Sequence, residues 1–341
     1  MRVLVAFDKF KDALTARQAC AVAAEVLHAR HPAWSLDPCP LTDGGEGFGE
    51  TLTHAAQGRL GYLDVTGPLG ENVRATHGLV QCENLPAPVR ARLALGGSGP
   101  LAVIDLAAAS GLMLVPPAQR NPWRAGSRGT GELLAHATRQ NVGAILLGVG
   151  GSATNDLGFG ALAALGFRFL NEKDEPIASP TPDRWESVTR IERSPLTLPP
   201  VYIACDVTNP LLGPTGATAT FGPQKGLSPA DQPKLEAQAA RLAALLCTAC
   251  GKSLSLAATP GAGAAGGIAF GLMVACDAQL VPGYDLVSDW LDLRARLAAA
   301  DLVLTGEGRF DATSLGGKGP GRLVAEAQRL GKPAHVFAGS V

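Results

Sequence analysis

Six loops of the chain combine small residues with charged or amide side chains. They are FDKFKDA from Phe7, LTDGGEG from Leu41, GVGGSATND from Gly148, CDVTNPLLG from Cys205, GPQKG from Gly222 and TGEGRFD from Thr305. In open α/β sheets, ligands bind beyond the carboxyl ends of the strands. Asp8, Lys11, Asp43, Glu46, Asn155, Asp156, Asp206, Asn209, Lys225, Glu307, Arg309 and Asp311 are therefore candidates to converge on one site. Singly, each is as well explained by an Asx turn or a helix N-cap; a set this consistent favours function. Glycine loops that open helices bind anions, because exposed N–H groups and the helix dipole face the ligand. Lys11, Lys225, Arg309 and Lys318 are placed to neutralise phosphates, and the loop-end acids Asp43, Asp206 and Glu307 to hold Mg²⁺ beside them. A carboxylate near a substrate hydroxyl can take its proton. The inventory is one for phosphoryl transfer.

Competing motifs are weaker. No G-x-S-x-G occurs, and the GKS at Gly251–Ser253 lacks the upstream glycine of a Walker loop, having Leu246 there. Any use of ATP proceeds without a Walker loop. Gly148, Gly150 and Ala153 do satisfy the dinucleotide fingerprint, with Glu172 and Asp174 some twenty residues on for a ribose. The alternative function is thus an NAD(P)-dependent dehydrogenase using GVGGSA. It leaves Thr154, Asn155 and Asp156 unexplained, where a dinucleotide helix would bury apolar groups.

The elements that must position these loops alternate. RVLVAF reads as a buried strand and the spacing from about Thr15 to Ala29 as a helix; strand, glycine turn and helix recur through SLDPCPLTDGGEGFGETLTHAAQG. Serial strand–loop–helix units argue for parallel α/β architecture. Near Gly61 the texture turns antiparallel, and 171–200 is a polar, Pro-rich excursion. A helix is predicted over about Pro229–Cys250. The last elements, from DLVLTGEGRFD onward, repeat the style of the first sixty residues. The expected organisation is a discontinuous domain, 1–65 plus 286–341, with 66–285 inserted.

Composition bounds the rest. The chain has 341 residues, 46% of them hydrophobic and 17% charged, which is enough for a large core and far from disorder. A net charge of −1 advertises neither nucleic acid nor an anionic membrane. The 42 glycines exceed the usual share of about 7% and cluster in the loops. Seven scattered cysteines and an N-terminus without a targeting pattern point to the cytoplasm. Cys247 and Cys250 have C-x-x-C spacing but sit late in an apolar helix, so they are read as packing. The charge-free stretch Ser253–Cys276 is broken by Pro260 and five glycines, and reads as a buried helix rather than a membrane span.

Seven stretches in order, AFDKFKDALTA, LTDGGEGF, GVGGSATNDLGFGALAALG, ACDVTNPLLG, GATATFGPQKG, PGAGAAGG and DLVLTGEGRFDATSLGGK, resemble the glycerate kinase family of bacterial glycerate and glucarate catabolism. The resemblance runs from Asp8 to Val341. It implies ATP-dependent phosphorylation of D-glycerate with Mg²⁺, at the 2-hydroxyl, by a monomer or homodimer. It also implies a two-domain α/β fold: a flavodoxin/Rossmann-like parallel-sheet domain built from both chain ends, a different α/β domain inserted, and the site in the cleft. On that basis Asp156 or Asp206 is expected as the base, and Lys11 and Arg309 as charge stabilisers. Asp43, Glu46, Glu307 and Asp311 are expected around the metal. Gly150, Gly151 and Ser152 are expected as an anion cradle, with Asp8, Gly44, Gly45, Asn155, Asn209, Lys225, Gly306 and Lys318 about substrate and phosphate. Two departures stand out: Asp12-Ala13 replaces the Gly-Ser pair common in the family, and members continue past FAGSV, so the family's last elements are expected to be missing from the end-built domain.

Overall fold

Arg2–Phe7 forms strand β1, and its period of two sorts its side chains cleanly. Val3, Val5 and Phe7 pack on Ala19 and Cys20 of the helix Ala16–Arg30. Leu4 and Ala6 point the other way, into a larger core. Both faces are covered, so the strand reads as an unbroken apolar run. Thr15 caps that helix: its hydroxyl accepts from the Gln18 N–H, and the Gln18 side chain reaches back to Thr15.

A computed structural model of the chain describes residues 1–11, 13–96, 99–310 and 319–340. Its strands form two main sheets. With β2 (Ser35–Pro38), β11 (Leu302–Arg309) and β12 (Ala334–Ser340), β1 builds an all-parallel sheet in the order β12-β11-β1-β2. The other sheet has the order β10-β9-β6-β5-β4-β3. Its strands β5 (Leu101–Asp105), β6 (Ala144–Gly148), β9 (Val201–Ala204) and β10 (Gln279–Val281) are parallel; β3 (Arg59–Thr66) and β4 (Asn72–Val80) are antiparallel. The expected boundary at residue 65 thus falls one residue before the end of a strand bonded into the larger sheet. Residue 286 falls inside the helix Gly283–Trp290.

The excursion over 171–200 is anchored rather than loose. Strands β7 (Arg168–Leu170) and β8 (Arg190–Glu192) pair as a hairpin, and Trp185 is wholly buried against Phe159. The helix Gln232–Cys250 packs Leu235, Leu242, Leu246 and both cysteines into the same core. All seven cysteines are free. Among the described residues, no helix is long and apolar enough to cross a membrane.

The two sheets share a core. Leu4 of β1 and Val303 of β11 belong to one buried cluster with Val103, Leu146 and Tyr202 of the larger sheet. Between them lie Phe48 and Leu52 of the helix Phe48–Ala55, Val287 of Gly283–Trp290 and Leu297 of Leu293–Ala299. Each such large side chain contributes about 1.5–3 kcal/mol on burial, so the layers are joined by packing over a broad area. Register then sets the site. Asp105 is level with Gly148, and Gly148 with Ala204, so the loops after β5, β6 and β9 leave one edge together. In the other sheet Phe7 is level with Gly306.

Candidate active site

Two glycine loops, one after β2 and one after β6, meet backbone to backbone. The Gly150 N–H donates to the Gly44 carbonyl at 2.8 Å. A Cβ on Gly150 would lie 2.7 Å from Gly45 Cα, and one on Gly151, at φ +71°, would lie 2.5 Å from Glu46 Oε1. Only glycine permits this approach. The contact brings Asp43 and Glu46 against Ser152 and its neighbours, and it uses the Gly150 N–H that the anion-cradle reading required.

Four acids and a lysine gather beside this contact. Lys9 Nζ lies 3.0 Å from Asp43 Oδ1, 3.6 Å from Glu46 Oε2 and 3.9 Å from Asp8 Oδ1. Burial works to deprotonate Lys9, but Asp43, Asp8 and Glu46 outweigh it and hold its pKa well above the usual lysine range. Asp8 is pushed up to about 7, first by burial and then by Asp43, with Lys9 opposing. Glu307 also raises the Asp8 pKa; it is itself buried, with Oε1 lacking a partner. Asp105, at the end of β5, is likewise pushed up to about 7 by burial, although the Gly49 and Gly47 N–H groups donate to it. It ties the start of the helix Phe48–Ala55 to the larger sheet.

The opposite wall holds Lys225, 2% exposed. Its Nζ donates to Ser152 Oγ at 2.9 Å and to the Thr154 carbonyl at 2.6 Å. Burial lowers its pKa to about 7, with Asp156 opposing. Between Lys225 and the Lys9 cluster lies a cavity of about 420 Å³, walled also by Asp206, Met113 and Phe221. Both Asp206 oxygens accept the Tyr284 N–H, at 3.1 and 2.9 Å, at the N-terminus of the helix Gly283–Trp290. Burial raises the Asp206 pKa despite that donor. A second, largely apolar groove of about 650 Å³ adjoins the cavity and shares Lys9, Lys11, Glu46 and Met113 with it.

Of the candidates named from sequence, Lys11, Asp43, Gly45, Glu46, Gly150, Gly151, Ser152, Asp206 and Lys225 line the cavity. Gly44 lies behind it, bonded to Gly150. Asp8 and Glu307 are buried and outside the lining. Gly306 is inside β11, where its carbonyl takes the Asp8 N–H at 2.9 Å. Arg309, at the end of β11, is exposed and outside the lining. Asp156 is not in the lining either. It is fully buried; Oδ2 accepts from Ser127 N at 2.8 Å, Ser127 Oγ at 2.7 Å and Gly160 N at 3.1 Å, and Oδ1 accepts from Gly158 N at 3.1 Å. Its two oxygens accept from four donors, so in this structure it braces the loop. Asn209 is similarly occupied, donating to the Thr215 carbonyl at 2.7 Å and to Thr220 Oγ1 at 3.1 Å. Asn155 is buried, with Nδ2 on Thr218 Oγ1 at 3.3 Å and Oδ1 without a partner. Asp311 and Lys318 lie outside the described residues.

Sequence reasoning missed Lys9 and Asp105. Lys9 stands two residues from the chosen Lys11, in the same string; Asp105 ends an apolar strand, which was its only local signal. The dinucleotide alternative fits this geometry poorly. The helix after the fingerprint starts at Phe159, well past the glycines, and is six residues long. The acids proposed for a ribose are solvent-facing on the hairpin, where Asp174 pairs with Arg190 at 2.9 Å.

Comparison with known proteins shows the family. A family model described as the glycerate kinase family matches residues 3–341. The glycerate kinase of Haemophilus influenzae is 40% identical over 99% of this chain and 86% of its own length. The glycerate 2-kinase of Escherichia coli is 36% identical over 100% of this chain and 86% of its own length. A crystal structure described as a glycerate kinase 2 from Salmonella typhimurium LT2 superposes with a TM-score of 0.77 at 40% identity, covering 100% of this chain and 87% of that one. The chain belongs to the glycerate kinase family and is a kinase.

Proposed function

We propose that the enzyme transfers the γ-phosphoryl group of ATP to the 2-hydroxyl of D-glycerate, giving 2-phosphoglycerate and ADP. The observation that carries this is the single cavity in which a carboxylate of raised pKa, Asp206, faces buried and clustered lysines, Lys225 and Lys9. In the proposed step the hydroxyl proton passes to Asp206, the oxygen attacks the γ-phosphorus, and the bond to ADP breaks. Phosphoryl transfer asks the protein mainly for position and charge neutralisation. Phosphate charge beside Lys225 would hold it protonated, giving a cation positioned by Ser152 and Thr154, and Lys9 is a second one fixed among its carboxylates. The adjoining apolar groove suits the nucleoside, with Lys9 and Lys11 at the junction where the phosphates would pass.

Mg²⁺ is the metal the family implies. Among the described residues no group of three ligating side chains forms a dedicated metal cage. Asp43 and Glu46 nonetheless both face the cavity, and one or two carboxylates beside phosphate oxygens are what Mg²⁺ normally takes. These residues fit a metal that arrives with the nucleotide; it would supply charge neutralisation on the phosphate oxygens. Cytoplasmic action is part of the same proposal.

The test is incubation of pure protein with ATP, Mg²⁺ and D-glycerate, following ADP and phosphoglycerate, with NMR of the product. Signals of 2-phosphoglycerate are expected. The 3-isomer would overturn the regiochemistry, and absence of turnover together with NAD(H) binding would overturn the reaction.

A further inference from the structure

Another cavity, of about 640 Å³, opens beside the end of β3. It shares no lining residue with either cavity described above. Its walls come from the turn after β3, from the segment leading into the helix Arg128–Arg139, and from the chain around Thr181. Four arginines line it, Arg120, Arg124, Arg128 and Arg184, against one acid, Asp183. That concentration is local, because the whole chain carries a net charge of −1.

Among the described residues, only one of the four arginines is balanced by a neighbouring acid. Arg128 is neutralised by Glu132, with Nε 3.1 Å from Oε1, and Glu132 is further engaged by Thr66 N at 2.7 Å and Thr66 Oγ1 at 3.0 Å. Asp183 is engaged by the Thr181 hydroxyl at 2.7 Å. Among the described residues, no carboxylate pairs with Arg120, Arg124 or Arg184. Arg120 adds an independent sign: its Nε is buried from solvent and has no hydrogen-bond partner. Folded proteins leave few buried donors unpaired, and a guanidinium fork finds its best acceptors on carboxylate or phosphate. The positive end of the helix Arg128–Arg139 adds to the same field.

We propose that this cavity binds a small phosphate-bearing anion through Arg120, Arg124 and Arg184, at a site separate from phosphoryl transfer. Three unpaired guanidinium groups suit a multiply charged tetrahedral anion, and the concave, bounded volume suits a metabolite rather than a polymer. Two sources share this chemistry, free phosphate and a phosphate ester such as the proposed product.

Isothermal titration calorimetry of the full chain with 2-phosphoglycerate, and separately with inorganic phosphate, tests the assignment. The wild-type protein is expected to show a saturable site that the exposed-residue variant Arg124→Gln/Arg184→Gln loses or weakens at least tenfold. The variant's Tm, and its kcat and KM measured without added phosphate, are expected to stay within error and within twofold. Lys225→Met is expected to keep the site, which separates it from the catalytic cavity. Phosphate that competes as strongly as the ester identifies free phosphate as the ligand; weaker competition identifies the ester. Identical stoichiometry and affinity in the wild type and the double arginine variant, for both probes, would overturn the proposal. The phosphate arm reads the site even if the proposed reaction is wrong.

Discussion

Lys225→Met should leave the protein nearly inactive, and its stability relative to wild type should fall as pH rises. Lys225 is 2% exposed, and burial takes its pKa from the ordinary 10.5 to about 7. At about 1.4 kcal/mol per tenfold change in proton affinity, holding that charge inside costs the fold about 5 kcal/mol below pH 7. The sign follows from the protons bound. Between pH 7 and 10.5 the unfolded chain keeps a proton that the folded chain has released, so wild-type stability rises with pH across that window. Methionine fills a similar volume without charge and removes the cost. It also strips the Ser152 hydroxyl and the Thr154 carbonyl of a donor, at about 1–3 kcal/mol each. The net gain is a few kcal/mol at most at pH 6. The more telling quantity is the difference between variant and wild type, which should shrink by about 4 kcal/mol from pH 6 to pH 10. Denaturant unfolding at several pH values measures it. In the coupled ADP assay, loss of a preorganised cation facing the transferring group should lower kcat/KM by about 10²–10³. A pH-independent stability difference would show that no buried charge is carried there. A kcat/KM within threefold of wild type would make Lys225 structural.

Three further outcomes are expected. Asp206→Asn should lower kcat by about 10²–10⁴ with Tm nearly unchanged, since an amide oxygen can still accept the Tyr284 N–H; steady-state kinetics with kcat near normal would remove it from the base role. Asp156→Asn should do the reverse, because its amide nitrogen would face backbone donors in the pocket formed by Ser127, Gly158 and Gly160. A destabilisation of about 3 kcal/mol is expected in urea titration, with kcat per folded molecule within tenfold; a thousandfold drop in kcat at unchanged Tm would restore Asp156 as the base. Asp8, pushed up to about 7 by burial and Asp43, holds a proton that the unfolded chain releases near 3.8, so it costs stability as pH rises between those values. Asp8→Asn should therefore raise Tm at pH 8 and leave it unchanged at pH 4; equal shifts at both would refute the buried-proton account.

The contrast between Asp156 and Asp206 shows where a sequence is legible and where it is not. Both acids follow short apolar strands and stand among small residues, so each is nominated by the same local pattern. Strand runs, the Thr15 cap and the helix ending at Cys250 are equally local, because propensity, capping and period act within a few residues. What separates the two acids is Ser127, which lies 29 residues before Asp156 and takes its Oδ2. Nothing in the string GVGGSATND announces that partner. The glycines of that string are a sharper case. They suit an anion cradle and a close loop contact equally, since both need backbone without a Cβ. The contact is made with Gly44 and Gly45, in a loop from the other sheet. Lys9 and Lys11 differ only in which way the chain turns after β1: one ends in an acidic nest, the other is exposed. A buried charge is decided by what surrounds it in space. Local pattern therefore nominates loops that leave one edge of the sheet together, while what each group there pairs with depends on residues far apart in the chain.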